Sequence, residues 1–242
     1  MYQTCIFDLY GTLADIHTDE EKPELWEKLA LFYGYYGARY TGEELQEAYR
    51  RLTGEMAEKD PLRKDSHEAY PEIRLENVFL QLFAEKGVKA DMTLAVHAGQ
   101  FFRTLSTDYV RLYAGVKELL ADLKEQGKKL YLLTNAQKIF TEHELFYLGI
   151  LDCFDGILIS SEAGVKKPDL RLFEKLLDTY GIDRETAVMI GNDGICDIRG
   201  AKGAGLATVY IRSNLSPEEE LPEADHILEK VDMAELAKIL LS

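Results

Sequence analysis

The chain has 242 residues, 46% hydrophobic and 29% charged, which is enough apolar material for a sizeable core and excludes wholesale disorder. That length suits one large domain or a core with an insert. With 28 Lys and Arg against 43 Asp and Glu, the net charge is −15, which argues against nucleic acid or an anionic membrane surface as a general partner, because polyanions are bound by neutralising basic residues.

The first element in chain order is Gln3–Asp8 (QTCIFD), a short apolar run ending in an acid that reads as a buried strand, with a turn at Gly11. Asp8 interrupts this run before a secretory h-region could develop. From about Pro23 to Thr107 the pattern is helical. Pro23 opens a helix over Glu24–Tyr33, and Thr41-Gly-Glu-Glu is a capping box before Leu45–Ala57. Pro71 opens a third helix through Leu75, Val78, Phe79, Leu82 and Phe83, closed by Gly87; a fourth runs from Met92 to Leu105. No strand is evident in this block.

After Asp108 strands and helices alternate. The expected order is helix Val116–Glu125, strand Lys129–Thr134, helix Ile139–Tyr147, strand Gly156–Ser160 and helix Asp169–Tyr180. Strand Ala187–Ile190, helix Ile195–Ala204, strand Thr208–Ile211, an acidic loop at Ser216–Glu223, strand His226–Leu228 and helix Met233–Leu241 complete it. Such alternation predicts an α/β fold, with a parallel sheet covered on both faces. The expected division is a Rossmann-like core of residues 1–15 and 108–242 and an all-helical cap of residues 16–107, with hinges near Ala14–Asp19 and Ser106–Tyr113. Apolar runs are far below membrane-spanning length. Cys5, Cys153 and Cys196 form no C-x-x-C pair, so a reducing, cytoplasmic setting is expected, without a disulfide frame or zinc site.

In an open parallel sheet, ligands sit outside the carboxyl ends of the strands. The polar residues expected there are Asp8, Thr134, Ser160 with Lys167 shortly after, and Asn192–Asp193. An acid, a hydroxyl, a cation and a further carboxylate can together hold and attack a phosphoryl group. Read singly, each has a plainer role: Asp8 a turn residue, Lys167 a surface cation, Thr134 a strand end, Asp193 and Asp197 acids suited to a helix dipole.

Jointly they resemble a family. Asp8-Leu9-Tyr10-Gly11-Thr12-Leu13 is similar to the D-x-D-G-T-L opening of the haloacid dehalogenase superfamily, Leu132-Leu133-Thr134-Asn135 to its second motif, Lys166-Lys167-Pro168-Asp169 to its third, and Ile190-Gly191-Asn192-Asp193-Gly194-Ile195-Cys196-Asp197 to its fourth. All four occur in order, and the helical insert matches the family's first cap class. The resemblance implies a hydrolase in which Asp8 attacks and forms an aspartyl intermediate. It implies Mg²⁺ held by Asp8, the Tyr10 carbonyl, Asp193 and Asp197, with Thr134, Asn135 and Lys167 holding the phosphate of a small phosphorylated substrate.

Tyr10 is the departure. The family's phosphatases usually carry Asp there, which protonates the leaving group and activates water. A phenol is a poor base at neutral pH, with a reference pKa of about 10. The family's 2-haloacid dehalogenases carry Tyr here and need no metal, since halide leaves without a proton. Asp193 and Asp197 point the other way, because carboxylates crowded beside Asp8 call for a cation between them. The leading expectation is therefore a magnesium-dependent phosphatase. The alternatives are a metal-independent 2-haloacid dehalogenase, and a phosphate-binding or regulatory protein of this fold without hydrolysis. Arg39, at the distance from Asp8 where a dehalogenase carries its substrate arginine, reads as a loop cation. Cys196 reads as a small filler, and His97 and His143 as helix residues. Tyr33, Tyr35, Tyr36 and Tyr40 suit either a substrate entrance or packing.

Overall fold

The computed structural model describes residues 2–59, 70–218 and 221–242. In chain order it begins with β1 (Thr4–Phe7), β2 (Ala14–Thr18), α1 (Pro23–Tyr35), α2 (Gly42–Glu58), α3 (Leu75–Glu85), α4 (Met92–Ser106) and β3 (Thr107–Leu112). It continues with α5 (Val116–Glu125), β4 (Lys129–Thr134), α6 (Lys138–Leu148), β5 (Gly156–Ile159), α7 (Ser160–Ala163) and α8 (Leu170–Tyr180). The last elements are β6 (Ala187–Gly191), a π-helical stretch at Gly194–Arg199, α9 (Gly200–Gly203), β7 (Ala207–Ile211), β8 (His226–Leu228) and α10 (Met233–Leu241).

Six strands form one parallel sheet in the order β5-β4-β1-β6-β7-β8, so the fold is the expected Rossmann-like α/β arrangement. The first strand lies at the centre because it is apolar on both faces. Cys5 and Phe7 pack with α5 and α10, through Leu119, Leu120, Leu236 and Leu240. Ile6 turns to the other face and joins Leu172, Phe173 and Leu176 of α8. This alternation is the period of two of an extended chain.

Helices α1 to α4 share a second apolar cluster that includes Trp26, Leu29, Tyr49, Leu52, Phe79, Phe83 and Phe102. Ile139 and Phe140 of α6 belong to it, so the bundle is seated on a helix of the sheet layer. The capping box at the start of α2 is formed: Glu44 N donates to Thr41 Oγ1, and Thr41 N donates to the Glu44 carboxylate. Tyr33 and Tyr40 donate their phenols to the carbonyls of Phe79 and Leu82, which makes them packing residues, whereas Tyr35 and Tyr36 are exposed.

Three local expectations change. The third helix starts at Leu75, not at Pro71, because Pro71 makes an antiparallel bridge to Val165 and the Gln137 side chain accepts from Leu75 N. The two expected hinges are strands: β2 and β3 pair antiparallel, a partnership invisible to local sequence because nearly ninety residues separate them. The expected helix Ile195–Ala204 is a π-helical stretch followed by short α9. Residues 219–220 of the expected acidic loop lie outside the described residues.

Gly99 marks where α4 lies closest to its neighbours. A Cβ there would stand 2.6 Å from Ile139 Cδ1 and 2.9 Å from the Phe79 ring. Gly99→Ala is expected to lower stability by about 1–3 kcal/mol through overpacking, measured as a shift in the urea midpoint at unchanged slope.

Candidate active site

The register places Phe7 beside Leu132 and Ile190, so the residues that follow β1, β4 and β6 emerge on one edge of the sheet. Asp8 N donates to Ile190 O at 2.9 Å, which fixes the acid's backbone at the strand end. The chain then turns sharply through Gly11, whose φ of +86° suits glycine, and Gly11 N bonds Ala14 O at 2.7 Å. Gly11 also makes room: a Cβ there would lie 2.3 Å from Asn192 Nδ2.

Lys167 is enclosed at 2% exposure and spends its three donors. Its Nζ lies 2.7 Å from Asp8 Oδ1, 2.6 Å from Asp197 Oδ1 and 2.8 Å from Leu133 O. Burial alone would lower its pKa, but the Asp197 and Asp8 carboxylates outweigh that and hold it raised, so the ammonium stays charged. Burial raises the Asp197 carboxyl, against the pull of Lys167. The other Asp8 oxygen accepts from Thr12 Oγ1 at 3.3 Å, and that hydroxyl also lies 3.3 Å from Asn192 Oδ1.

Thr134 is 1% exposed, and its hydroxyl is the one fully buried side-chain polar atom among the described residues without a hydrogen-bond partner. Such an atom is costly unless a ligand satisfies it. Asn135, expected on phosphate, uses its amide on protein: Nδ2 donates to Lys167 O at 3.0 Å, and Oδ1 accepts from Lys167 N at 2.8 Å. It clasps the backbone of the buried lysine. Ser160 Oγ accepts from Ala136 N at 2.9 Å and donates to Glu72 at 3.0 Å, which ties β5 to the segment before α3.

The fourth motif is arranged differently from the expectation. Asp193 caps the helix that follows it: Oδ1 accepts from Ile195 N at 2.9 Å and Cys196 N at 2.7 Å. The side chain that meets Thr12 and Gly11 is Asn192. Asp197 Oδ2 accepts from Asp193 N at 3.0 Å, while its other oxygen holds Lys167. Among the described residues, no three His, Cys, Asp or Glu side chains converge as a metal cluster. Of the expected ligand set, Asp193 thus has one carboxylate oxygen engaged by two backbone amides.

Tyr10 leaves the loop toward α6. Its phenol donates to Glu144 and lies 3.3 Å from Thr141 Oγ1. Burial and then the Glu144 charge push the phenol's pKa upward, so it is a neutral donor. Glu144 is also ion-paired with Arg103 of α4, at 2.6 Å. Neither partner was singled out from the sequence. Glu144 carried a readable sign, since it lies four residues from both Phe140 and Leu148 on the buried face of α6. Arg103 is paired through tertiary structure alone. Arg39 is exposed in the loop after α1. Burial pushes the Cys196 thiol up to about 12, with Asp193 and Asp197 adding to the effect, consistent with a filler.

The model of the haloacid dehalogenase-like hydrolases matches residues 2–205. Phosphoserine phosphatase of Thermus thermophilus is 34% identical over 161 residues, covering 66% of this chain and 63% of that protein. Glyceraldehyde 3-phosphate phosphatase of Methanothermobacter thermautotrophicus is 35% identical over 118 residues, covering 49% and 50%. The chain thus spans about half to two thirds of the length of these two relatives. In structure, a 2-haloacid dehalogenase from Pseudomonas syringae pv. Tomato DC3000 superposes with a TM-score of 0.63 at 22% identity, covering 100% and 99%, a likeness of fold.

The Asp193 geometry has a measurable consequence. Asp193→Ala is expected to lower stability by about 1 kcal/mol, the usual cost of a lost N-cap, while Asp193→Asn, which keeps an accepting oxygen, restores most of it in the same denaturant titration.

Proposed function

The chain belongs to the haloacid dehalogenase-like hydrolases, and we propose that it hydrolyses small phosphomonoesters through an aspartyl-phosphate formed on Asp8. The observation that carries this reading is the buried Lys167 ammonium, 2.7 Å from Asp8, with the unspent Thr134 hydroxyl at the end of the neighbouring strand. Phosphatase relatives at 34% and 35% identity support it. In this proposal residues 1–15 and 108–242 form the hydrolase core and residues 16–107 the cap. No described helix is long and apolar enough to cross a membrane, and a cytoplasmic setting is part of the proposal.

An Asp8 oxygen attacks phosphorus, an Asp8 oxygen–phosphorus bond forms, and the phosphorus–ester oxygen bond breaks. Lys167 orients the carboxylate and offsets charge on the phosphoryl oxygens, and Thr134 donates to one of them. Water then cleaves the acyl phosphate and restores Asp8. The ester oxygen leaves as the alcohol with a proton from solvent, because the Tyr10 phenol donates to Glu144; turnover therefore favours good leaving groups, and without a base at this position the water step is slow.

In this proposal the residues fit a magnesium ion through a donor set other than the one the resemblance implies. Asp8, the Tyr10 carbonyl and Asn192 Oδ1 would hold it, all hard oxygen donors, with water and substrate filling the rest. Bound there, magnesium would neutralise phosphoryl charge. Asp193 stays a helix cap in this proposal.

A second reading, a 2-haloacid dehalogenase, is favoured by Tyr10 and by the neutral amide of Asn192 on the Thr12 hydroxyl that also bonds Asp8. In that case Asp8 displaces halide to give a carboxylic ester that water cleaves.

Phosphate release from a phosphomonoester panel with magnesium or EDTA, beside halide release from 2-chloropropionate, separates the readings. The expected result is metal-stimulated phosphate release, reduced about a thousandfold or more by Asp8→Asn. EDTA-insensitive halide release supports the second reading. Silence in both assays with phosphate still bound leaves a phosphate-binding protein. Calorimetry with magnesium alone tests the donor set: Asn192→Asp is expected to tighten binding about tenfold by adding a charged ligand, and Asp193→Asn to leave it unchanged. The reverse pattern would return the metal role to Asp193.

A further inference from the structure

The loop that carries Asp8 is fastened to the helical bundle by a buried polar chain that the proposed chemistry does not use. It starts at Tyr10, two residues after Asp8, whose phenol donates to Glu144 and neighbours Thr141 on α6. Glu144 is 8% exposed, and its carboxylate also accepts from Arg103 Nε at 2.6 Å and Nη2 at 3.4 Å. Arg103 comes from α4, which lies between β2 and β3 in sequence. Its guanidinium stands 5.2 Å from the Phe140 ring centroid and 5.9 Å from that of Tyr10. Asp8 meanwhile bonds Lys167 and Thr12. The tyrosine at the family's acid–base position is thus fixed on α6 by a carboxylate whose charge a bundle helix balances.

Geometry favours one direction of action. A buried carboxylate must keep its partners, and Glu144 has two, one from the nucleophile loop and one from α4. Each fixes the rotamer that the other requires. The pair also walls a cleft of about 650 Å³ lined in part by Tyr109, Phe140, His143 and Tyr147. Removing the Glu144 carboxylate frees the phenol and leaves Arg103 facing that cleft.

We propose that Glu144 is a positioning residue: with Arg103 behind it, it locks Tyr10 onto α6 and makes the placement of the nucleophile loop depend on the seating of α4. The proposal rests on the hydrolase reading for its kinetic test and on the structure alone for its second test.

In the full-length chain, Tyr10→Phe and Glu144→Gln are each expected to lower kcat about tenfold with KM changed less than about threefold, because they misplace the loop without touching substrate. The double variant is expected to be no worse than either single one, since both break one chain of contacts. A roughly hundredfold loss in the double variant, or full turnover in Glu144→Gln, overturns the proposal.

Hydrogen exchange of the peptide spanning residues 8–14 provides the readout that needs no activity. It is expected to quicken about tenfold or more in Arg103→Met, which does not contact that backbone, but not in Arg111→Met, which breaks the Asp15 pair at the ribbon. Unchanged exchange in Arg103→Met, or equal quickening in both, overturns the proposal. If the wild-type chain hydrolyses none of the substrates, the hydrolase reading fails by itself and exchange alone decides the lock.

Discussion

Lys167 stands enclosed between Asp8 and Asp197, and the surrounding loops are arranged to keep it there. Three charges taken out of water are costly, and the cost is met only when every donor and acceptor finds a partner. Here the ammonium has two carboxylates and the Leu133 carbonyl, and Asn135 holds the lysine's backbone at both its amide and its carbonyl. The triad joins the ends of β1 and β4, the loop before α8 and the π-helical stretch after β6. The same contact therefore holds strand ends together and sets the direction of the candidate nucleophile.

Around that triad the polar residues of the four motifs take unlike places. Asp193 spends a carboxylate oxygen on the amides of Ile195 and Cys196, Asp197 shares Lys167 with Asp8, and Asn192 meets the Thr12 hydroxyl that also bonds Asp8. Tyr10 brings a neutral phenol instead of an acid. Of these, only Tyr10 takes the place of an acid; hydrogen bonding to two amides does not remove the Asp193 carboxylate.

The helical bundle is tied to the sheet layer at separate places. Ile139 and Phe140 contribute apolar area from α6, and the Glu144–Arg103 pair adds a polar fastening beside them. On the other flank, the backbone of Tyr70–Glu72 bonds to Gly164 and Lys166, next to the buried lysine, while Glu72 accepts from Ser160 and Gln137. The β2–β3 ribbon carries both chain crossings and supplies backbone pairing in the segments where hinges are expected. Bundle position and loop position are thus linked through several unlike contacts.

The sequence by itself determined the alternation of strands and helices after residue 108, the helical block before it, and the strand-end places of Asp8 and Thr134, with Lys167 in the loop beyond β5. These follow from local periodicity, turn residues and the rule that parallel strands present their carboxyl ends to ligand. Tertiary structure alone decided that β2 pairs with β3, that Gln137 rather than Pro71 fixes the start of α3, and that Arg103 meets Glu144. Those contacts join residues far apart in the chain, where no periodicity can reach. The exchange between Asn192 and Asp193 has a different physical reason. Asn192 and Asp193 are adjacent polar residues at a strand end, and only the turn of the backbone into a π-helical stretch, with two amides requiring an acceptor, assigns one to the cap and leaves the other against Gly11 and Thr12.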